Sequence, residues 1–444
     1  MLFKNYDDLV LNGGTPLLQQ KRKDVLAMLS SALEAVHPYR VVRDVFVGSQ
    51  MVFPSEVIDL SSFDRLYLIG FGKASVGMAQ AVCDAVPIKR GVVITNDPKA
   101  MLPHLCVTVV HGDHPLPDEH SVTGAERILE VVHQATEKDC VIVLISGGGS
   151  SLFCQPRVPL ADLQKTIDLL LRSGASIDEI NCIRKHLSLV KGGLLVTHTK
   201  AVMISLIISD VVHDPISSIA SGPTSPDFTS FSTAKDILQR YRLWGMIPSS
   251  VQDLIDRGII GAVPETLKEK DSAFDTVFNF IIANNERACQ GALKKARELG
   301  YEAWILTTTL TGEASFLGTY LVERVRKSLS SGATAFITGG ESIVRIHGAG
   351  VGGRNQELVL GCVEEIAGSD IVVASFATDG IDGTNTAAGA LADGNTRSRA
   401  MQHNLCPSRL LKENDSYRFF HSLGDTLQTG LTGTNVMDIQ ILLQ

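Results

Sequence analysis

Residues 140–151 read CVIVLISGGGSS, a six-residue apolar run followed by a serine, three glycines and two serines. An unbroken Val/Ile/Leu run of this length suits a strand buried on both faces, as in a parallel sheet covered by helices. Glycines directly after such a strand let backbone N–H groups turn toward one point, and a following helix adds its positive end. One glycine is enough for a turn, so three argue for an anion nest. Ser146, Gly147, Gly148, Gly149, Ser150 and Ser151 form it at the carboxyl edge of the sheet, where open α/β sheets bind their ligands.

The same pattern repeats outward. Strand-like runs RLYLIG (65–70), RGVVITND (90–97), LCVTVVHG (105–112) and AVMISLIISD (201–210) alternate with helical stretches at 73–86, 121–135, 160–173 and one ending in KGG. Residues 20–36 form an amphipathic helix before the first strand. The pattern loosens after Pro226, and AVPETLKEKDSAFD (262–275) reads as a polar connection. Strand and helix then alternate again through VFNFIIANN (277–285), a helix over 286–299, EAWILTTTL (302–310), a helix over 313–330, TAFITGGES (334–342) and DIVVASFATDG (370–380). This is an α/β fold. At 444 residues the chain exceeds a single core, and the boundary is expected near residue 270, giving domains 1–270 and 271–444.

Composition narrows the function. The net charge of −8 and 6% aromatic content argue against a nucleic-acid groove, which needs a basic stripe and stacking surfaces. Eight cysteines are dispersed without a CxxC pair, so free thiols in a reducing compartment are expected and a zinc site is not. No apolar stretch reaches the length of a membrane span, and the start MLFKNYDDLV has neither a signal-peptide core nor a transit pattern. A cytoplasmic protein is the expectation.

Other turns carry charge. IGFGKAS (69–75) fails as a dinucleotide fingerprint because Ser75 stands where the third glycine belongs, and fails as a P-loop because Tyr67 and Ala74 occupy required positions. What remains is Lys73 at a helix start, where the helix dipole disfavours a cation unless an anion sits between them. In EINCIRKHLSLVKGG, read as one helix, Arg184, Ser188 and Lys191 fall to one side of an apolar stripe. A solvated basic edge is the plain alternative. Asp210 ends a strand, with His213 and Asp214 next, and Asp379 and Asp382 repeat the theme in FATDGIDGTN. Carboxylates at strand ends can hold Mg²⁺ or accept a hydroxyl proton, although Asp and His also form turns. Arg354 in GVGGRNQE opens a helix with a planar fork suited to carboxylate or phosphate oxygens, and Glu341 is placed to orient it.

Taken in order, GFGKAS, ISGGGSS, NCIRKHLSLVKGG, SDVVHDP with SIASGPTSPD, GGRNQE and ATDGIDGTN resemble the glycerate 2-kinases of the MOFRL type, from the first helix to the C-terminus. The resemblance implies a Rossmann-like parallel-sheet N-terminal domain, a smaller α/β C-terminal domain and an active site in the cleft between them. It also implies an enzyme dependent on ATP and Mg²⁺ that phosphorylates the C2 hydroxyl of D-glycerate. Lys73 and Arg354 match the family's proposed key residues, and Asp210 is taken as the third catalytic group. Arg184 and Lys191 join the nest in holding anionic oxygens, Glu341 and Asn355 join Arg354 as substrate ligands, and Asp210 and Asp379 hold the metal. Leu194 departs from the arginine usual after K-G-G in similar proteins, which touches substrate preference. A homodimer is expected from how often soluble enzymes pair. The rival readings are an NAD(P)H-dependent hydroxypyruvate reductase, with Asp97 as a loose ribose ligand, and a non-catalytic sensor of sugar phosphates.

Overall fold

The structure, a computed structural model describing residues 2–327 and 332–444, divides the chain into two units: Pro38–Ile282, and Met1–His37 together with Ala283–Gln444. Two cuts therefore replace the single expected one near residue 270. The reason lies in the Pro16–Ala35 helix, whose buried face includes Val25, Leu26, Met28, Leu29 and Ala32. That face lies on the Asn285–Glu298 helix, where a Cβ on Gly291 would stand 2.7 Å from Ala35 Cβ. An amphipathic stripe announces that a helix buries one side, but not which later element receives it. Arg22 fixes the same helix from its other end: fully buried, it reaches Asp393 at 2.6 Å and Asp425 at 2.7 Å.

The Pro38–Ile282 unit begins with a small antiparallel sheet of β1 (Phe46–Val47), β2 (Gln50–Val52) and β3 (Val57–Asp59). Its main sheet holds β4 (Leu66–Phe71), β5 (Arg90–Thr95), β6 (Val107–His111), β7 (Cys140–Ile145), β8 (Val202–Ile208) and β9 (Val277–Ala283) in the order β6-β5-β4-β7-β8-β9. All neighbours from β6 through β8 run parallel. Counted from β4, this is the doubly-wound order 3-2-1-4-5-6, which reverses between β4 and β7. Every residue of β4 and β7 is buried, as their unbroken apolar runs require. The Ser75–Ala85 and Glu119–Val132 helices cover the sheet, the second capped by Asp118 and Ser121 in a reciprocal box.

In the other unit the sheet contains β10 (Glu302–Leu310), β11 (Thr334–Gly340), β12 (Val372–Ala377), β13 (Gly389–Asp393), β14 (Thr426–Leu427) and β15 (Asp438–Leu443), ordered β10-β11-β15-β12-β13-β14. β10 and β11 are parallel, while β15 runs antiparallel to both β11 and β12. The last strand of the chain is thus a central, fully buried one. The helix expected over 313–330 spans Ala314–Arg326, and its expected positions 328–330 lie outside the described residues. Among the described residues, no helix is long and apolar enough to cross a membrane.

Candidate active site

The turns after β4 and β7 sit side by side where the strand order reverses, and they are laced together. Lys73 N–H donates to Gly147 O at 2.9 Å, Ala74 N–H to Ser146 Oγ at 3.1 Å, and Ser146 N–H to Phe71 O at 3.2 Å. Gly72 has φ +124°, and a Cβ there would lie 2.3 Å from Ser146 Oγ. Two of the glycines therefore serve packing: Gly72 against Ser146, and Gly149 against Ala220 Cβ, 2.8 Å from its would-be Cβ. Gly148, with φ +83°, has the Lys73 side chain and the His114 ring as its nearest neighbours.

This lacing redistributes the expected nest. Ser146 is buried and its hydroxyl is engaged by Ala74, so it holds the two turns rather than a ligand. Ser151 is likewise buried, donating to Pro115 O at 2.5 Å. Ser150 pairs with Ser221 Oγ at 2.9 Å, and Ser221 in turn donates to Asn181 Oδ1 at 3.0 Å. Among the described residues, the N–H groups of Gly147 and Gly148 have no hydrogen-bond acceptor. Buried N–H groups rarely go unpaired, so those of buried Gly147 and half-buried Gly148, beside half-buried Lys73, are the nest's available donors.

Arg184, Ser188 and Lys191 are not on one helix. The helix is Ile177–His186, after which the chain bridges back to Pro156 and turns at Gly192 and Gly193, both at positive φ. Apolar spacing through 194 suggested a longer helix, but Ser188 accepts from Val190 N–H and leads the backbone out of it. The three side chains nevertheless line one cavity with Ser150 and Cys154. Lys191 is buried, donating to Phe153 O at 2.7 Å, and burial pushes its amine down to about 8. Burial also lowers Arg184, and among the described residues neither cation has a carboxylate partner.

Asp210 lies just past β8, half-buried, and opens a strained segment. His213, Asp214, Ala220 and Ser221 all hold positive φ, and such outliers persist where the surroundings over-determine them. Asp379, in the other unit, accepts from Ile381 N–H at 3.1 Å and so closes its own turn. No group of three or more His, Cys, Asp or Glu among the described residues is arranged to hold a metal ion.

Arg354 begins the Arg354–Cys362 helix, as expected, but it is part of a dense ionic cluster. Its Nε and Nη2 grip Asp438 at 2.5 and 3.0 Å, and Nη1 reaches Glu341 at 2.6 Å. Burial pushes fully buried Asp438 up to about 6 against the opposing pull of Arg354. Both carboxylates push the guanidinium's proton affinity up against its burial. The helix N-terminus is already filled: Asp382 accepts from Asn355 N–H at 3.0 Å and Gln356 N–H at 2.9 Å. Gly353 is needed there, because a Cβ would stand 2.3 Å from the Asp382 carboxyl carbon. Asn355 is buried, bound to Asp382 at 3.2 Å and to Ser375 Oγ at 2.5 Å, so it positions the cluster instead of meeting a substrate.

Sequence reasoning missed Asp438, His114 and the Ser221–Asn181 pair. Asp438 had a signal in the alternating apolar run DIQILL, which marks a strand and puts an acid at its start. The other three are brought in by tertiary packing alone.

The sequence matches a domain of unknown function (DUF4147) over residues 24–256 and the MOFRL family over residues 334–438. It is 40% identical over 426 residues to a glycerate 2-kinase of Pyrococcus horikoshii, covering 94% of this chain and 96% of that one. A crystal structure of a glycerate kinase from Thermotoga maritima superposes with a TM-score of 0.83 at 36% identity, covering 95% of this chain and 98% of that one. A putative hydroxypyruvate reductase of Agrobacterium vitis is 38% identical over a shorter span, 85% of this chain and 87% of that one.

Proposed function

The chain belongs to the MOFRL-type glycerate kinases, and from that premise we propose which of its residues carry the transfer. The enzyme phosphorylates the C2 hydroxyl of D-glycerate, giving 2-phosphoglycerate, with ATP as co-substrate. One observation supports the assignment above the rest. The acceptor-free N–H groups of Gly147 and Gly148 stand beside Lys73 at the switch point of the sheet.

Phosphoryl transfer asks the protein for positioning and charge neutralisation more than for covalent chemistry. The two N–H groups take oxygens of the transferring phosphoryl group, and Lys73 neutralises the charge that spreads over them. Arg354 takes an anionic oxygen through the Nη1 edge that Glu341 occupies, since Glu341 is 43% exposed and exchangeable while buried Asp438 is not. Asp210, with Asp379 second, would hold Mg²⁺, which would supply neutralising charge to the phosphate oxygens of the nucleotide. All eight cysteines are unpaired, which suits a reducing compartment, and the cytoplasm is the assigned location.

The test is an assay with D-glycerate and Mg-ATP, coupled through enolase, pyruvate kinase and lactate dehydrogenase with no phosphoglycerate mutase. Only 2-phosphoglycerate yields a signal. Silence there, with NADH consumed when hydroxypyruvate is supplied to the uncoupled enzyme, assigns the chain to the reductases instead.

A further inference from the structure

The cavity lined by Arg184 and Lys191 carries two positive groups, and among the described residues no carboxylate lines it. An uncompensated buried cation is costly, and two facing one cavity are costlier still. Such an arrangement persists where an anion completes it during function. The lining bears on which anion. The cavity's free volume is about 10 Å³, room for roughly one water-sized group, so only the anionic end of a ligand enters. Its remaining wall is apolar at Leu163, Ile167 and Leu187, with hydroxyls from Ser150 and Ser188. A carboxylate with a short carbon chain behind it matches the cations, the hydroxyls and the apolar wall.

We infer that this cavity holds the carboxylate of the acceptor substrate, with Arg184 and Lys191 as its counter-charges, an assignment that rests on the glycerate-kinase reading. The geometry suits the reaction. Ser150 lines the cavity and belongs to the same turn as Gly147 and Gly148. In glycerate the C2 hydroxyl is one carbon removed from the carboxylate. Seating the carboxylate beside Ser150 therefore leaves the acceptor hydroxyl next to the nest that takes the phosphoryl group. Lys191 is anchored on Phe153 O, so Arg184 is the group with full hydrogen-bonding capacity left for the ligand. Substrate choice follows: a 2-hydroxy acid is accepted and its neutral amide is not.

Kinetics of Arg184→Gln test this against the wild-type enzyme, with Arg184→Lys as a charge-keeping second variant and a thermal melt of each as a folding check. The expected result is a KM for D-glycerate raised about tenfold or more by loss of a charge-assisted pair, with the KM for ATP within about twofold of wild type. Arg184→Lys falls between. Discrimination between D-glycerate and glyceramide, strong in the wild type, collapses in Arg184→Gln. A raised KM for ATP with glycerate unaffected overturns the inference in favour of a nucleotide phosphate. Unchanged kinetics for both substrates overturns it outright. Should Arg184→Gln fail to fold, the wild type decides alone: D-glycerate without ATP must raise its melting temperature and glyceramide must not. A wild-type enzyme that makes no 2-phosphoglycerate sinks the kinase reading itself, a failure distinct from the others.

Discussion

Gly72 and Ser146 touch across the β4 and β7 turns so closely that a Cβ on residue 72 would lie 2.3 Å from Ser146 Oγ and 2.4 Å from Ser146 O. A glycine-rich turn is usually credited to ligand approach, but here the backbone of a second turn is what comes near. Gly72→Ala also places a side chain at φ +124°, so strain and overlap add, and a loss of about 3 kcal/mol or more is expected. Thermal unfolding followed by circular dichroism reads it as a clear drop in midpoint. An unchanged midpoint with lost activity would mean that Gly72 serves the ligand after all.

Lys73 and Arg354 are expected to be separately essential. Replacing either by alanine removes a cation from the transferring or bound anion, and kcat/KM should fall by roughly a hundredfold or more. Melting temperatures distinguish the two losses. Lys73 sits in a turn whose backbone bonds, Lys73 N–H to Gly147 O and Ala74 N–H to Ser146 Oγ, are kept in Lys73→Ala. Arg354→Ala leaves buried Asp438 without its counter-charge and should melt lower, by the equivalent of about 3 kcal/mol. Near-normal turnover in both variants sinks the site assignment.

What the sequence disclosed follows from local pattern. The β4 and β7 runs are apolar throughout and bounded by glycine, so both strands and the turns that follow them were legible from VIVLISGGG and YLIGFG. Legibility failed where long-range packing decides. The Pro16–Ala35 helix joins a unit whose next segment begins at Ala283, and nothing in its stripe encodes that partner. Ser146 and Asn355 look like ligand donors until the fold supplies their partners, Ala74 N–H and Asp382. Arg184, Ser188 and Lys191 were grouped for a helical reason that does not hold, and they meet because the chain turns back at Pro156.

Asp438 gives activity an acid limb. Burial raises its carboxyl to about 6, so it is ionised and gripping Arg354 at pH 8 and protonated below 6. Protonation loosens the bidentate hold, and kcat/KM should decline as pH falls through 6. Stability runs the other way for this group, because a folded pKa above the unfolded one means the folded state binds the proton more tightly. A kcat/KM profile from pH 5 to 8.5 checks the first claim. Asp438→Asn should lower activity at pH 8 and flatten the limb near 6, and an unaltered limb in that variant would assign it to another group.

His186 sets an alkaline limit on stability. Although its burial opposes the charge, its bonds to Cys182 O at 2.8 Å and Glu265 at 3.1 Å raise it to about 9. A histidine whose folded pKa exceeds its unfolded value stabilises the fold fully below about 6.5 and loses that contribution as pH climbs through 9. Glu265, held below its usual range despite partial burial by His186 and Phe231 N–H, stays ionised across this window. Because Glu265 is 37% exposed, solvent screening reduces the pair's worth to the order of 2 kcal/mol. The melting temperature should therefore fall between pH 6.5 and 9 in the wild type. His186→Gln should start lower and lose much of that slope, whereas equal slopes in the two proteins would place the alkaline loss elsewhere.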